Sequence, residues 1–253
     1  MSEAPKNLKP DSKEWNGTLV AKHTAKLIKD GIENNSAPFI PTNGPIPTKQ
    51  IINVNTGYIL PAANLIPAQI EKLQKGFESN YVATISTIVK NENSIRKDEK
   101  GLFYNFQDKQ TGEFKHSQFF FADQTENPEK LNDLGDFTKK QRDALSNLTI
   151  SASSADDYMT AYIAACKSGA AFDASPETIS QFKEKILAIC ANELKRTEAE
   201  KNPSIPKLNK YLFECDSSAN TMIKEICKAN GITKDNSIQK PVERTKERET
   251  GYC

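Results

Sequence analysis

Ser94-Ile95-Arg96-Lys97-Asp98-Glu99-Lys100-Gly101-Leu102-Phe103-Tyr104-Asn105-Phe106 is the stretch on which the reading of the fold turns. Two short β-prone runs flank a charged turn that ends in glycine, which is the pattern of a hairpin. Arg96, Lys97 and Lys100 cluster at the turn. Tyr104 and Phe106 alternate along the second run, and alternate residues of a strand share one face of a sheet. Cations at a turn beside rings on a face form a surface for single-stranded nucleic acid, because the cations meet phosphates and the rings stack on bases. The same pattern also arises when the rings of a small sheet are simply its core. A second turn at 108–112 leads into another β-prone run, so the spacing predicts a three-stranded meander at 94–97, 102–107 and 114–122. Phe119-Phe120-Phe121, the densest aromatic cluster of the chain, reads as core.

Upstream of this region, Leu19, Val20, His23, Leu27, Ile28 and Ile32 recur at helical spacing, with Gly31 as a stop signal. Residues 37–47 hold four prolines, which deny amide donors and push their predecessors into extended conformations. An irregular loop is expected there, pinned to the core by Phe39, Ile40 and Ile46. Residues 51–60 follow with Asn55-Thr56-Gly57 as a turn. Residues 62–73 read as a helix that Pro67 kinks or divides. Residues 81–89 fit a helix face, while their β-branched content leaves a strand open.

Downstream, the acidic, turn-rich segment 124–135 is a candidate domain boundary. Beyond it the pattern is helical, at 137–148, at 155–167 capped by Ser153 or Ser154 and ended by Gly169, and from 175 to about 199. Two more helices are expected at 208–214 and 217–229, the second ended by Gly231. Ser175-Pro176 places serine at a cap and proline at the first helical position. The expected organisation is α+β: a loose arm at 1–18, a domain at 19–124 with a small antiparallel meander and helices, an all-helical region at 136–232, and a charged tail at 233–253 without an apolar face.

Composition narrows the function classes. The 253 residues are 37% hydrophobic and 26% charged, with a net charge of +1. No global field draws such a chain onto nucleic acid or an anionic membrane. Residues 22–121 carry 12 Lys and Arg against 9 Asp and Glu, whereas 122–240 carry 16 against 18, which favours the first half as the part that meets a polyanion. No 18-residue apolar run predicts a membrane span, and the polar first fifteen residues contain no secretory h-region. Five cysteines without a CxxC pair read as reduced thiols of a cytoplasmic protein.

Signatures of catalysis are missing from the sequence. His23 and His116 stand outside any HExxH arrangement, and there is no GxGxxG, GxxxxGK[ST] or GxSxG. Cys166 and Cys190 lie on apolar helical faces and read as small core residues. Asp156-Asp157 opens a helix, where the macrodipole accounts for the pair without a metal. No cofactor or metal is expected, and the chain reads as non-enzymatic.

An ordered set of signals carries a family resemblance: Ala37-Pro38-Phe39, Asn55-Thr56-Gly57-Tyr58, Asn64, Thr84 and Ile95-Arg96-Lys97-Asp98-Glu99-Lys100-Gly101. In this order, residues 19–122 resemble the N-terminal, single-stranded-DNA-binding domain of the ArdC antirestriction proteins and the related polyvalent proteins of plasmids and phages. The chain departs from the family at Phe39, where Trp is usual, and at Ala63 and Asp98, where Gly is usual. A helical region stands where the family carries a metallopeptidase. The resemblance implies a DNA-binding protein of a mobile element, serving antirestriction or the protection of transferred DNA. It implies that Lys49, Arg96, Lys97 and Lys100 contact phosphates, that Tyr58, Tyr104 and Phe39 stack on bases, and that Asn55 and Asn64 hydrogen-bond to sugar or base edges. The alternative is an adaptor that docks a protein partner through the helical region 137–231.

Overall fold

A computed structural model describes residues 17–42, 44–107, 114–132, 145–195 and 207–232. The expected N-terminal arm and charged tail lie outside the described residues, apart from the arm's last two positions. Most of the expected helix at 137–148 lies outside them as well.

The chain opens with α1 (Gly17–Glu33). Its inward face is Val20, Ala21, Ala25, Ile28 and Ile32, while His23 is exposed. Gly31 does not end the helix. It lies inside it, where a Cβ would touch Ile70 and Ala37 at ordinary contact distances of 3.4 and 3.7 Å. The stop is Asn35, whose φ of 52° lets the Ser36 amide bond back to the Gly31 carbonyl at 2.7 Å. The proline-rich segment that follows is pinned as expected: Phe39 is fully buried, and Ile40 and Ile46 pack on the core. It is not wholly irregular, because β1 (Ile46–Pro47) pairs antiparallel with a strand from the far half of the chain. Proline is tolerated there because β1 is an edge strand.

Strands β2 (Ile52–Asn53) and β3 (Tyr58–Ile59) form a hairpin around the expected turn, with Gly57 at φ 70°. Helix α2 (Ala62–Lys75) then runs without interruption through Pro67 and ends at Gly76 in the left-handed region. The ambiguous segment 81–89 resolves into both alternatives. Strand β4 (Tyr81–Thr84) leads directly into α3 (Ile85–Lys90), and the Thr84 hydroxyl accepts the Thr87 amide.

Strands β5 (Leu102–Gln107) and β6 (Phe114–Phe121) form a six-pair antiparallel ladder. The meander has a different third member from the one expected. Residues 94–97 contribute only an isolated bridge from Ile95 to Thr125, and β4 flanks β6 instead, with Val82 opposite Phe121 and Thr84 opposite Phe119. The first sheet therefore runs β3-β2-β4-β6-β5. A 3₁₀ turn (Ala122–Gln124) and α4 (Glu129–Asn132) follow it.

The C-terminal region is helical, with two short strands woven in. Strands β7 (Thr149–Ala152) and β8 (Ala171–Ala174) pair in parallel across α5 (Tyr158–Ser168), and with β1 they make a second sheet ordered β1-β8-β7. The expected serine does cap the turn that leads into α5: the Ser154 hydroxyl accepts the Asp156 and Asp157 amides at 3.2 and 3.3 Å, and Asp157 reciprocates. The Asp157 carboxylate accepts the Ser153 and Ser154 amides at 3.2 and 2.8 Å and so orders the preceding turn. Helix α6 (Pro176–Lys195) begins as read, the Ser175 hydroxyl taking the Thr178 amide at 3.1 Å. Helix α7 (Lys207–Ala229) is continuous where two helices were expected. Asp216, at the expected break, stays in the helix and tethers it, accepting the Ala62 amide at 2.8 Å and the Lys167 ammonium at 2.9 Å.

The main core crosses the segment read as a domain boundary. Tyr158 stacks on Phe182 at 4.0 Å between centroids, and Phe39 meets Tyr162 and Phe182 edge-on. The Tyr158 hydroxyl donates to the Phe39 carbonyl at 2.7 Å. A separate small cluster of Ala83, Ile88, Phe120, Ala122 and Leu131 holds α3 and α4 to the opposite face of the first sheet. Among the described residues, no helix is long and apolar enough to cross a membrane.

Candidate nucleic-acid interface

The basic stretch at 94–101 is a loop built by its neighbours rather than by its own strands. Asn93 anchors its start. The Asn93 amide nitrogen donates to the Thr125 hydroxyl at 3.0 Å and the Asn127 carbonyl at 2.8 Å, and its oxygen accepts the Ser94 and Asn127 amides. The Arg96 amide donates to the Gln124 carbonyl at 2.9 Å. The Gln124 side chain is buried and holds the far limb, donating to the Glu99 carboxylate at 2.8 Å and the Lys100 carbonyl at 3.0 Å while accepting the Phe121 amide at 3.0 Å. Gly101 closes the loop because nothing larger fits: a Cβ there would lie 2.7 Å from Phe120 Cζ and 2.9 Å from the Phe119 carbonyl oxygen.

On this frame Arg96, Lys97 and Lys100 are exposed, and none is in an ion pair with a described residue. Asp98, also exposed, occupies the tip with φ 66°, a left-handed conformation that suits glycine and that aspartate tolerates. Residues 94–101 sum to +1, from three cations against Asp98 and Glu99.

The remaining sequence-predicted residues are not gathered around the loop. Asn55 and Tyr58 lie on the β2–β3 hairpin, both exposed, Tyr58 at 41%. Strands β3 and β5 are the two edges of a five-stranded sheet, so these residues are separated from the start of β5 by about 19 Å of sheet width, four inter-strand spacings. Lys49 is exposed just before β2. Asn64 is 3% exposed within the first turn of α2 and presents no surface to a polymer, which removes it from the candidate contacts. Phe39, the additional stacking candidate, is sealed in the core. Tyr104 sits in β5 opposite Ser117, and its side chain lies outside the described residues.

Near Lys49, the buried Lys72 donates its ammonium to the Glu78 and Ser79 carbonyls, and burial together with the Lys49 charge pushes its pKa down to about 8. The Asp123 carboxylate accepts the Glu78 and Ser79 amides at 3.0 Å each, so the 3₁₀ turn braces this corner as well as the basic loop. Cys166 and Cys190 are buried free thiols, raised by burial to about 11 and about 12. Among the described residues no group of His, Cys, Asp and Glu is arranged to hold a metal ion.

Sequence reading missed the loop's supports. Gln124 and Thr125 fell in a segment read as turn-rich, Asn93 fell between two predicted elements, and nothing local pairs a glutamine with a carboxylate 25 positions away. It also missed Ile85 and Val89, exposed on α3 at 46% and 64%. The large exposed apolar side chains among the described residues are Tyr58, Leu73, Ile85 and Val89, all outside 137–231.

No family model and no curated protein matches the chain. Two solved structures of the antirestriction ArdC protein from the R388 plasmid are similar to it. The metal-free form has 16% identity and a TM-score of 0.42, with 84% of this chain and 98% of that one covered. The Mn(II)-bound form has 13% identity and a TM-score of 0.44, with 79% and 97% covered. The likeness is one of fold alone.

Proposed function

We propose that this chain binds single-stranded nucleic acid, DNA in preference to RNA, through the loop that carries Arg96, Lys97 and Lys100, and that it does so without catalysing a reaction. The observation that carries the reading is the loop itself: three exposed cations on a backbone already hydrogen-bonded into place. A pre-ordered loop loses less conformational freedom on binding than a mobile one. The cations supply phosphate contacts, which position a strand but read no sequence. Tyr58 and Asn55 are a second contact point for a strand that crosses the sheet, and Lys49 is a further cation. The resemblance of residues 19–122 to the ArdC N-terminal domain supplies the biological setting, antirestriction or protection of transferred DNA in a mobile element.

Fluorescence anisotropy of labelled single-stranded DNA, duplex DNA and RNA against the full chain is the test. Three phosphate contacts give a slope of log K on log salt of about −2 for a single strand, or roughly 15-fold weaker binding between 50 and 200 mM salt. Replacing Arg96, Lys97 and Lys100 together by Ala flattens that slope. Absence of saturable binding at low salt, or a triple variant that binds with the parent's slope, defeats the reading.

A further inference from the structure

Gln124 is 1% exposed, and every polar atom of its side chain is used. Its oxygen is fixed by the Phe121 amide at the end of β6, and its nitrogen is shared between Glu99 and the Lys100 carbonyl on the loop. Its own carbonyl takes the Arg96 amide. One residue therefore joins both limbs of the basic loop to the sheet, while its side chain is too deep to touch a bound polymer. Glu99 is drawn inward by the same contact, which turns one of the loop's two negative charges toward protein. We infer that Gln124 is a positioning residue for nucleic-acid binding: it holds Arg96, Lys97 and Lys100 in their binding arrangement. This rests on the function proposed above.

The test uses the full chain with Gln124→Met and Gln124→Glu. Methionine removes the donor and the acceptor at similar volume and leaves the formal charge unchanged. Single-stranded DNA affinity falls by roughly five- to thirty-fold, the equivalent of ordering one more residue's backbone on binding. Amide exchange at residues 96–100 accelerates, while β4 amides keep their protection. Glutamate keeps the acceptor for Phe121 but faces the Glu99 carboxylate where the donor stood, with Asp123 adjacent and already occupied by the Glu78 and Ser79 amides. Two carboxylates in contact share a proton as pH falls, since like charge raises the pKa of one of them. Binding by Gln124→Glu therefore recovers between pH 7.5 and 5.5 relative to the parent at each pH, a dependence that a merely structural role does not produce.

Unchanged exchange at 96–100 in both variants overturns the inference, as does faster exchange with parental affinity. A parent chain that binds no single-stranded DNA defeats the proposed function and with it the positioning role in binding. The exchange arm then still reports whether Gln124 orders the loop, so the two failures are told apart. Should Gln124→Met not fold, the isosteric Gln124→Glu gives both readouts.

Discussion

Gly101→Ala adds one methyl group at the point where the basic loop enters β5. The new carbon would stand 2.7 and 2.8 Å from Phe120 Cζ and Cε2 and 2.9 Å from the Phe119 carbonyl oxygen. Carbon pairs settle at about 3.5–4.0 Å, so the ring has to retreat by close to an ångström. Behind it are Ala83, Ile88, Ala122 and Leu131, all buried. The carbonyl cannot retreat at all without disturbing β6, where Phe119 lies between Leu102 and Thr84. Overpacking of this kind costs about 1–3 kcal/mol, and a site hemmed in by backbone belongs in the upper half of that range. The alanine also restricts the unfolded chain, which returns about 0.4–1 kcal/mol. The net expectation is a loss of about 2 kcal/mol, or a melting temperature lower by about 4–8 °C for a chain of this length. Urea denaturation followed by far-ultraviolet circular dichroism reads the loss as a lower midpoint at unchanged m-value. Combining Gly101→Ala with Phe120→Leu makes room for the methyl, so the double variant loses less than the sum of the two singles. A single-variant loss below about 0.5 kcal/mol, the usual span of a neutral surface change, refutes the packing argument.

Three further outcomes follow from other parts of the molecule. Asp98→Gly places the residue best suited to φ 66° at the loop tip and removes an exposed negative charge beside three cations. Stability changes by less than about 1 kcal/mol because relief of the left-handed strain offsets glycine's freedom in the unfolded chain, while single-stranded DNA binding tightens; weaker binding by anisotropy contradicts the assignment of the loop. Ser175→Ala removes the acceptor of the Thr178 amide and costs about 0.5–2 kcal/mol in a urea melt, whereas Ser175→Gly costs only a few tenths. Stability measured against pH has a maximum near pH 9. Lys72 holds its proton less tightly in the fold than out of it, so stability rises as pH passes its folded value of about 8. The thiols Cys166 and Cys190, raised by burial to about 11 and about 12, hold theirs more tightly, so stability falls as pH climbs above their ordinary value of 9.0. Lys72→Met abolishes the rise and leaves the fall; a parent whose stability declines steadily from pH 8 contradicts the burial of Lys72.

What could be read in the sequence was local, and what could not was decided by competition between distant segments. Ser175-Pro176, Gly169 and Asn55-Thr56-Gly57 do in the fold what their types dictate, because a cap or a tight turn is settled within four residues. The third neighbour of the β5–β6 ladder was not settled that way. Both 94–97 and 81–84 are β-prone, and β6 can accept only one partner along its second edge. Tyr81–Thr84 wins because Val82 opposite Phe121 enters the main core and Ala83 opposite Phe120 enters the second cluster, so both faces of the pair are buried at once. The losing segment carries Arg96 and Lys97, whose charges forbid that burial, and it is displaced to the end of the sheet as a loop. The same displacement exposes the cations and leaves their backbone to be satisfied by side chains, which is why Gln124 and Asn93 became its supports. Asn64 could not be placed locally either. Its candidacy came with the family resemblance, which carries no burial, whereas Asn64 lies 3% exposed in α2, a helix that packs against both α1 and α7. The basic loop is therefore a consequence of strand competition: a variant that made 94–97 apolar would contest β4 for β6 and dissolve the site, even with Lys49 and Lys100 retained.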